Sequence, residues 1–565
     1  MGLITYITLR AIVAAAVGYF VLNELVPLYK RRRALRNVPG PPSASWWKDD
    51  VEGNWGQIFD KDGWRFKKHI VDTYGSLLKV NALFGDQQLY ISDPLAITTI
   101  FQTDRPLYDV NQYHLLRSRL CFGIGLVGTI GEIHTKQRKL LAPFFSTNFL
   151  RYLLPNFYPF AYELCDHLEE LSKSNDGVVN MHKMMSVAAL EYVGAGLGYK
   201  FDGLKGTSVY NDSAKILNPL TFKLSTFRAF LPYMVKLGPA WFRKALIDYL
   251  PWRDAKAVKR VIYTMDDVAK DILATRRQAY EDGQINGRDI LSAILRYNDT
   301  VDEDEKISDY EMLSHITTTL FAGHETTAGS LSRILHQMAI LPDQQERLRK
   351  EVSEARAKHG DLDFDTLMQL PYLDAICKET LRWWAEFQGL VVSSLIVVCD
   401  SYPPVDQVYR TSNSQSVIPI LYPVKSADGK TTVNYVAVEP KTELIISIIS
   451  YNRNKLVWGE DAEEWNPERW LEATRKSVVD AKLPAQYANM MTFTLGGKSC
   501  IGYKFAEMEM KLILTMLMER FEFSVSPKEP IFWAMGGSIT PIIKGSNKIE
   551  PTLPLKVTPV KKRQT

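Results

Sequence analysis

The stretch "MTFTLGGKSCIG", residues 491–502, sets one cysteine behind a glycine-rich run and directly ahead of the helix-like pattern "YKFAEMEMKLILTMLMERF". A thiolate at the amino end of a helix is favoured by the helix dipole and by unpaired backbone N–H groups, which lower its pKa. Cys500 is readable as an inert core thiol, a nucleophile or a metal ligand. A nucleophile needs a general base, and no histidine lies close to it in sequence. A second unusual stretch is "FAGHETTAG", residues 321–329, in the middle of a long helical pattern that Pro342 ends. Gly323, Thr326, Thr327 and Gly329 are poor helix formers, and the Ala-Gly pair thins the helix where another group can press on it. Close helix packing, with Thr hydroxyls bonded back to carbonyls, is the plainer account. No CxxC pair and no HExxH motif points to zinc.

Taken together, these stretches resemble the cytochrome P-450 family. Phe493, Gly496, Cys500 and Gly502 occupy the fixed places of its heme-ligand pattern, Phe-x-x-Gly-x-Arg-x-Cys-x-Gly, while Lys498 stands where the family has Arg. "AGHETT" (322–327) looks like the oxygen-activation helix, "KETLR" supplies Glu379 and Arg382 of the Glu-x-x-Arg helix, and "NPERW" supplies Arg469. "HTKQR" (134–138) resembles the Trp-x-x-x-Arg element, with His134 for the Trp and Arg138 kept. The motifs occur in family order and span essentially the whole chain after residue 52.

The resemblance implies a mainly α protein with small β-sheets, folded as one large heme-binding domain behind a single N-terminal transmembrane helix. It implies Cys500 as the axial ligand of the iron of heme b, a ligation that favours O–O cleavage. Phe493 then covers the heme on that side, and Gly323 lets the opposite helix lie close to the porphyrin. Glu325 and Thr326 form an acid–alcohol pair that delivers protons to bound dioxygen. The propionates need cations, for which Arg138, Lys498 and Arg410 are the candidates and His134 a weaker fourth. Lysine offers a point charge where arginine offers a planar fork, so the propionate anchor at Lys498 is expected to be looser. Glu379, Arg382 and Arg469 are expected to be a buried, mutually paired structural set.

The activity implied is that of a heme-thiolate monooxygenase, inserting one oxygen atom of O2 into a lipophilic small molecule. The style of the chain looks like that of microsomal fungal members, which suggests a terpenoid or other secondary metabolite. Electrons come from NADPH through a separate flavoprotein reductase, since no Gly-rich dinucleotide fingerprint follows a strand; cytochrome b5 is a further candidate donor. Lys136, Arg138, Lys139, Lys498 and Lys504 are candidates for the basic face that meets such a partner. The substrate pocket is expected from segments 104–130, 210–250, 315–326, 402–410 and 533–541. Two alternatives are a family member that rearranges or dehydrates its substrate without a reductase, and a membrane-tethered heme protein without turnover. Intact Glu325 and Thr326 speak against the first.

The elements that must position these residues follow from pattern. The chain has 565 residues, 46% apolar and 23% charged, as in an ordinary globular protein, and a net charge of +4 that gives no warrant for nucleic-acid binding. Five cysteines, odd in number and unevenly spaced, argue against a disulfide framework and for a reducing compartment. Residues 3–28 are apolar apart from Arg10, Asn23 and Glu24, long enough to cross a bilayer, and are followed by "YKRRRALR". A transmembrane anchor over 1–29 is therefore expected, with Lys30–Arg33 on the cytoplasmic side. For this family that means the endoplasmic reticulum membrane, single-pass, with a cytoplasmic catalytic domain. Residues 30–52, basic and then rich in Pro39, Pro41 and Pro42, read as a stiff hinge holding the body off the membrane. Residues 53–565 are the heme domain, mostly helical, with strands near 77–92 and 433–449; Ser308 with Glu311 is a capping box. One segment breaks the family pattern. "WAEFQGLVVSSLIVVCDS", residues 384–401, separates Arg382 from Pro403 and Pro404, where the family has only two residues. The codons of Trp383–Trp384 must contain a GT, and Ser401 can supply an AG. An in-frame excision between them restores the family spacing with Cys in place of Trp383, so the segment reads as a retained intron.

Overall fold

The computed structural model describes residues 22, 25–42, 53–60, 62–201, 208–224, 230–284, 289–383, 406–526, 529–534, 540–545 and 551–560. The helices that bear on the site are α1 (Val26–Ala34), α2 (Gly63–Tyr74), α3 (Gln112–Phe122), α4 (Gly131–Leu141), α5 (Met181–Gly196) and α6 (Val209–Lys223). They continue with α7 (Arg253–Glu281), α8 (Asp309–Ile340), α9 (Pro371–Trp383), α10 (Ile448–Asn452) and α11 (Tyr503–Arg520). Strands β1 (Leu77–Asn81), β2 (Gln87–Ile91), β3 (Tyr108–Val110), β4 (Gln407–Ser412) and β5 (Glu443–Ser447) form one sheet in the order β1-β2-β5-β4-β3. Only the β2–β5 pair is parallel. The remaining described strands form three small sheets, so the mainly α expectation with small β-sheets holds.

α8 is the central beam. Ser308 caps it, its Oγ accepting from the Glu311 N–H at 3.2 Å, as the capping pattern predicts. It packs against α5, α7 and α11, and its second half is almost wholly buried. Its hydroxyls bond back to the preceding turn: Thr317 to Leu313 O at 2.9 Å, Thr326 to Ala322 O at 2.7 Å and Ser332 to Ala328 O at 2.7 Å. That satisfies the side chains without breaking the helix.

The expected strand near 433–449 ends sooner, because Ser447 caps α10 by accepting from the Ser450 N–H. The amino-terminal expectation needs a larger correction. α1 carries Arg31–Arg33 in its last turn, where cations suit the helix dipole, so the boundary drawn between anchor and hinge at 29–30 falls inside one helix. The hinge does not stand off the body over its described part. Leu35 and Val38 are buried in the core, the Pro39 carbonyl accepts from the Lys79 N–H at 2.8 Å, and Arg31 pairs with Asp86 at 3.0 Å. Lys79 Nζ donates to the carbonyls of Leu35 and Arg36. Apolar side chains and a strand edge outcompete the extended solvated state that the prolines alone suggest. Residues 1–21, 23 and 24 of the expected anchor, 43–52 of the hinge and the segment 384–401 lie outside the described residues. Among those described, no helix is long and apolar enough to cross a membrane.

Candidate functional site

The loop before α11 is built around Cys500. Its N–H donates to the Phe493 carbonyl at 2.9 Å, and Ser499 N–H to Gly496 O at 3.1 Å. Gly496 has φ +70°, and a Cβ there would come within 2.5 Å of the Phe101 carbonyl oxygen. Only glycine takes that conformation at that approach without strain. The Cys500 side chain is accessible, yet burial pushes its thiol pKa up, opposed by the Gly502 N–H and the charge of Arg138. The depressed pKa expected from the helix end is thus outweighed by desolvation in the free thiol. The thiol is therefore reachable although protein atoms crowd round it. Phe493 sits edge-on to Tyr487 at 5.1 Å and against Tyr503 at 5.9 Å.

Cations gather beside this loop. Arg138 of α4 donates to Ser499 through Nη1 to the carbonyl at 2.6 Å and Nη2 to Oγ at 3.0 Å. Lys498 Nζ donates to the Thr129 carbonyl at 2.5 Å. Arg410 of β4 is buried, its guanidinium 4.4 Å from the centre of the Phe101 ring. A Cβ on Gly497 would come within 2.6 Å of the Arg105 guanidinium, which places Arg105, exposed on its outer side, beside the group. Burial, with mutual repulsion against Arg410, Arg105 and Arg138, brings Lys498 down to about 8, partly offset by Asp109. Arg410 falls to about 10 for the same reasons. His134 is buried in the same place and is pushed down to about 4 by desolvation and then by Lys498, Arg138 and Arg105. It is neutral at neutral pH, which corrects its place among the candidate cations. Like charges held together and partly desolvated are relieved by an anion.

On α8 the side chains change character at one strip. Ala322 is exposed and Gly323 and Thr326 are half-exposed, while Glu325 and residues 327–339 are buried. A Cβ on Gly323 would meet Val193 at 2.6 Å, so this glycine is required by the approach of α5. The structure does not bring Glu325 and Thr326 together as a bonded pair. Thr326 Oγ1 is bonded to Ala322 O, and Glu325 Oε1 instead accepts from Ser186 of α5 at 3.1 Å. α4 ties the two regions, since Gln137 bonds Glu311 of α8 at 2.8 Å while Arg138 holds the Cys500 loop.

The structural set is assembled as the pattern implies. Arg382 grips Glu379 through two bonds of 2.9 and 2.6 Å, and Arg469 approaches Glu379 at 3.5 Å, all three buried. Sequence reasoning missed the rest of this network. Trp470 Nε1 donates to Glu379 at 2.9 Å, and Asp461 receives Arg469 and Arg475, which hold it at about 2 against a burial that alone would raise it. Arg105 and Ser186 were also missed, and no local motif marks either. The expected basic face divides: Lys136 and Lys139 are exposed, whereas Arg138 and Lys498 turn inward.

The family profile described as cytochrome P450 matches residues 41–385 and 415–545. The interruption brackets most of the anomalous segment. Cytochrome P450 monooxygenase 81 of Postia placenta is 37% identical over 561 residues, covering 97% of this chain and 97% of its own length. Cytochrome P450 monooxygenase 91 of the same fungus is 35% identical over 537 residues, covering 93% of this chain and 94% of its own. A ganoderic acid synthetase of Ganoderma lucidum is 34% identical over 561 residues, covering 96% of this chain and 98% of its own.

Proposed function

This chain belongs to the cytochrome P450 family and is a monooxygenase of it, and from that premise we propose that it oxidises a lipophilic small molecule of secondary metabolism, a terpenoid being the first class to try. The likeness to a ganoderic acid synthetase supports the metabolic class. NADPH supplies the electrons through a separate membrane-bound flavoprotein reductase, and the protein works at the endoplasmic reticulum membrane, anchored by its amino terminus. The observation that carries the reading is the accessible but desolvated Cys500 thiol beside a cluster of cations that turn toward one another, Arg410 buried and Arg138 and Lys498 half-buried. A heme fits these residues: one soft anion for the iron, and Arg105, Arg138, Arg410 and Lys498 for two carboxylates.

Bound through Cys500, heme supplies oxygen activation, the thiolate pushing electron density that favours O–O cleavage. The residues of the chain do the rest. Arg138 fixes the loop through Ser499 and, with Lys498 and Arg410, orients the propionates. Arrival of those carboxylates raises the Lys498 pKa again, because opposite charge favours the ammonium. Thr326 keeps a hydroxyl on the accessible strip of α8, and Glu325 is the acid next to it in sequence. Phe122 and Phe321, with ring centres 4.9 Å apart, help to keep water from that strip.

The test is spectroscopic and then catalytic. The reduced protein with carbon monoxide should show the red-shifted thiolate band, and Cys500→Ala should lose it. With a reconstituted fungal reductase, NADPH consumption should then rise with members of a terpenoid panel and yield products one oxygen heavier. A thiolate band surviving Cys500→Ala would remove Cys500 as the ligand. Turnover of a peroxide or oxime without reductase would replace monooxygenation by rearrangement or dehydration.

A further inference from the structure

The carboxylate of Glu325 belongs to a buried network whose centre is a serine. Ser186 Oγ lies 2.8 Å from His324 Nε2, 2.8 Å from Asn211 Oδ1 and 3.1 Å from Glu325 Oε1. Ser186 and His324 are fully buried, and Asn211 nearly so. Burial, and after it the charge of Lys215, pushes His324 down to about 3, so its ring is neutral. Its Nδ1 has no partner, while Nε2 faces both Ser186 and, at 3.4 Å, Glu325. A proton on Nε2 is therefore the cheaper tautomer, since it leaves a buried acceptor rather than a buried N–H unpaired. His324 then donates into Ser186 Oγ. That leaves Ser186 one hydroxyl proton and two acceptors, Glu325 on α8 and Asn211 on α6.

We propose that Ser186 is a positioning residue for Glu325: its hydroxyl holds the carboxylate on the α5 side of α8, and Asn211 competes for the same proton. Resting on the reading of Glu325 as the acid that serves Thr326, this ties the freedom of that acid to the position of α6. α6 lies within the segment 210–250 expected along the substrate pocket, and its Thr221 is bonded to Arg117 of α3 at 3.2 Å. A ligand that moves α6 toward α5 draws the Ser186 proton to Asn211 and loosens Glu325, with the same rise in peroxide release as loss of the serine hydroxyl. One that moves it away leaves Glu325 held.

The experiment uses the heme-loaded full chain with reductase and no added substrate, comparing variants that keep the thiolate carbon monoxide band. Hydrogen peroxide released per NADPH consumed reads how well protons reach reduced dioxygen. A hydrogen bond to a charged group is worth roughly a factor of ten, so Ser186→Ala should raise the ratio of peroxide-forming to water-forming turnovers about ten-fold. Glu325→Gln should do the same, and Ser186→Thr, which keeps the hydroxyl, should restore the wild-type ratio. A crystal structure of Ser186→Ala should show the Glu325 carboxylate withdrawn from α5. If Ser186→Ala loses the band, Ser186→Cys, close in volume but a poor donor, takes its place. A wild-type ratio in Ser186→Ala beside a raised one in Glu325→Gln overturns the inference, as does an unmoved carboxylate. If Glu325→Gln itself changes nothing, the acid role fails, and the crystal structure alone decides whether Ser186 holds the carboxylate.

Discussion

Burial decides what His134 can do, and the same physics acts on His182, His324 and His336. Desolvation is the first cause in each case, bringing His134 and His182 to about 4 and His324 and His336 to about 3, from an ordinary 6.5. The sign follows from linkage. As pH falls through 6.5 the unfolded chain takes up a proton at each ring, while the folded chain stays neutral until the lower pKa values. The stability tied to these rings is therefore complete above pH 6.5 and is lost as pH falls toward 4 and then 3. Urea midpoints of the heme-free protein should drop through that window, and His134→Trp, which restores the family residue and removes one titrating ring, should flatten the drop. An unchanged slope in that variant means that His134 is not the buried neutral ring described. At this scale, legibility in the sequence was uneven for a physical reason. Cys500, Glu379 and Arg382 are readable because each sits in a local motif. Ser186 is flanked directly by Met184, Met185, Val187 and Ala188, with no motif around it; its importance comes from His324, far along the chain. Arg105 and Asp461 acquire partners only through tertiary contact.

Elements were legible where their ends and periods are local, as with the capped α8, and illegible where the chain leaves its family's course. The elements on either side of residues 384–401 are fixed to one another through α10. Asp406, where description of the chain resumes, accepts through its carbonyl from the N–H groups of Ile448 and Ile449 at 2.9 and 3.1 Å, the start of α10. Arg382, at the end of α9, donates to the Asn452 carbonyl at 2.9 Å, the finish of α10. α9 and β4 are thus both tied to the short α10. Sequencing of mature transcripts should find those codons removed, and protein made without them should bind heme with a thiolate band. The junction matters as well. Trp383 is packed between Arg333 at 4.7 Å and Arg453 at 5.2 Å, with its indole N–H on the Glu463 carbonyl at 2.6 Å. Excision from the Trp383–Trp384 codons puts Cys there, which should cost about 3 kcal/mol against an otherwise equal chain that keeps Trp383. Mature transcripts that retain the segment, together with active protein containing it, would refute the excision.

At the scale of the molecule, the proposed attachment to a membrane has a second candidate surface besides the first residues. Apolar side chains of the segment 230–250 stand out from the body: Phe230, Tyr233, Leu237 and Phe242 are exposed, Trp241 is 70% exposed and Tyr249 88%. The helix Ala240–Tyr249 has no buried residue at all. An apolar group of this size, mixed with Lys236, Arg243 and Lys244, suits the interface of a bilayer, where the rings sink among the acyl chains and the cations meet headgroups. α1 is fixed to the body through Arg31–Asp86 and the Pro39–Lys79 bond, so it and the 230–250 segment hold defined places on one folded unit. Removal of residues 1–24 should therefore leave part of the protein bound to vesicles containing anionic lipid, sedimenting with them at low salt without detergent. Trp241→Ser with Phe242→Ser in that shortened chain should release most of the remainder, with the carbon monoxide band intact because neither side chain is in the core. A shortened chain that stays wholly in the supernatant would show that the exposed segment makes no membrane contact, and the amino terminus would then be the sole anchor.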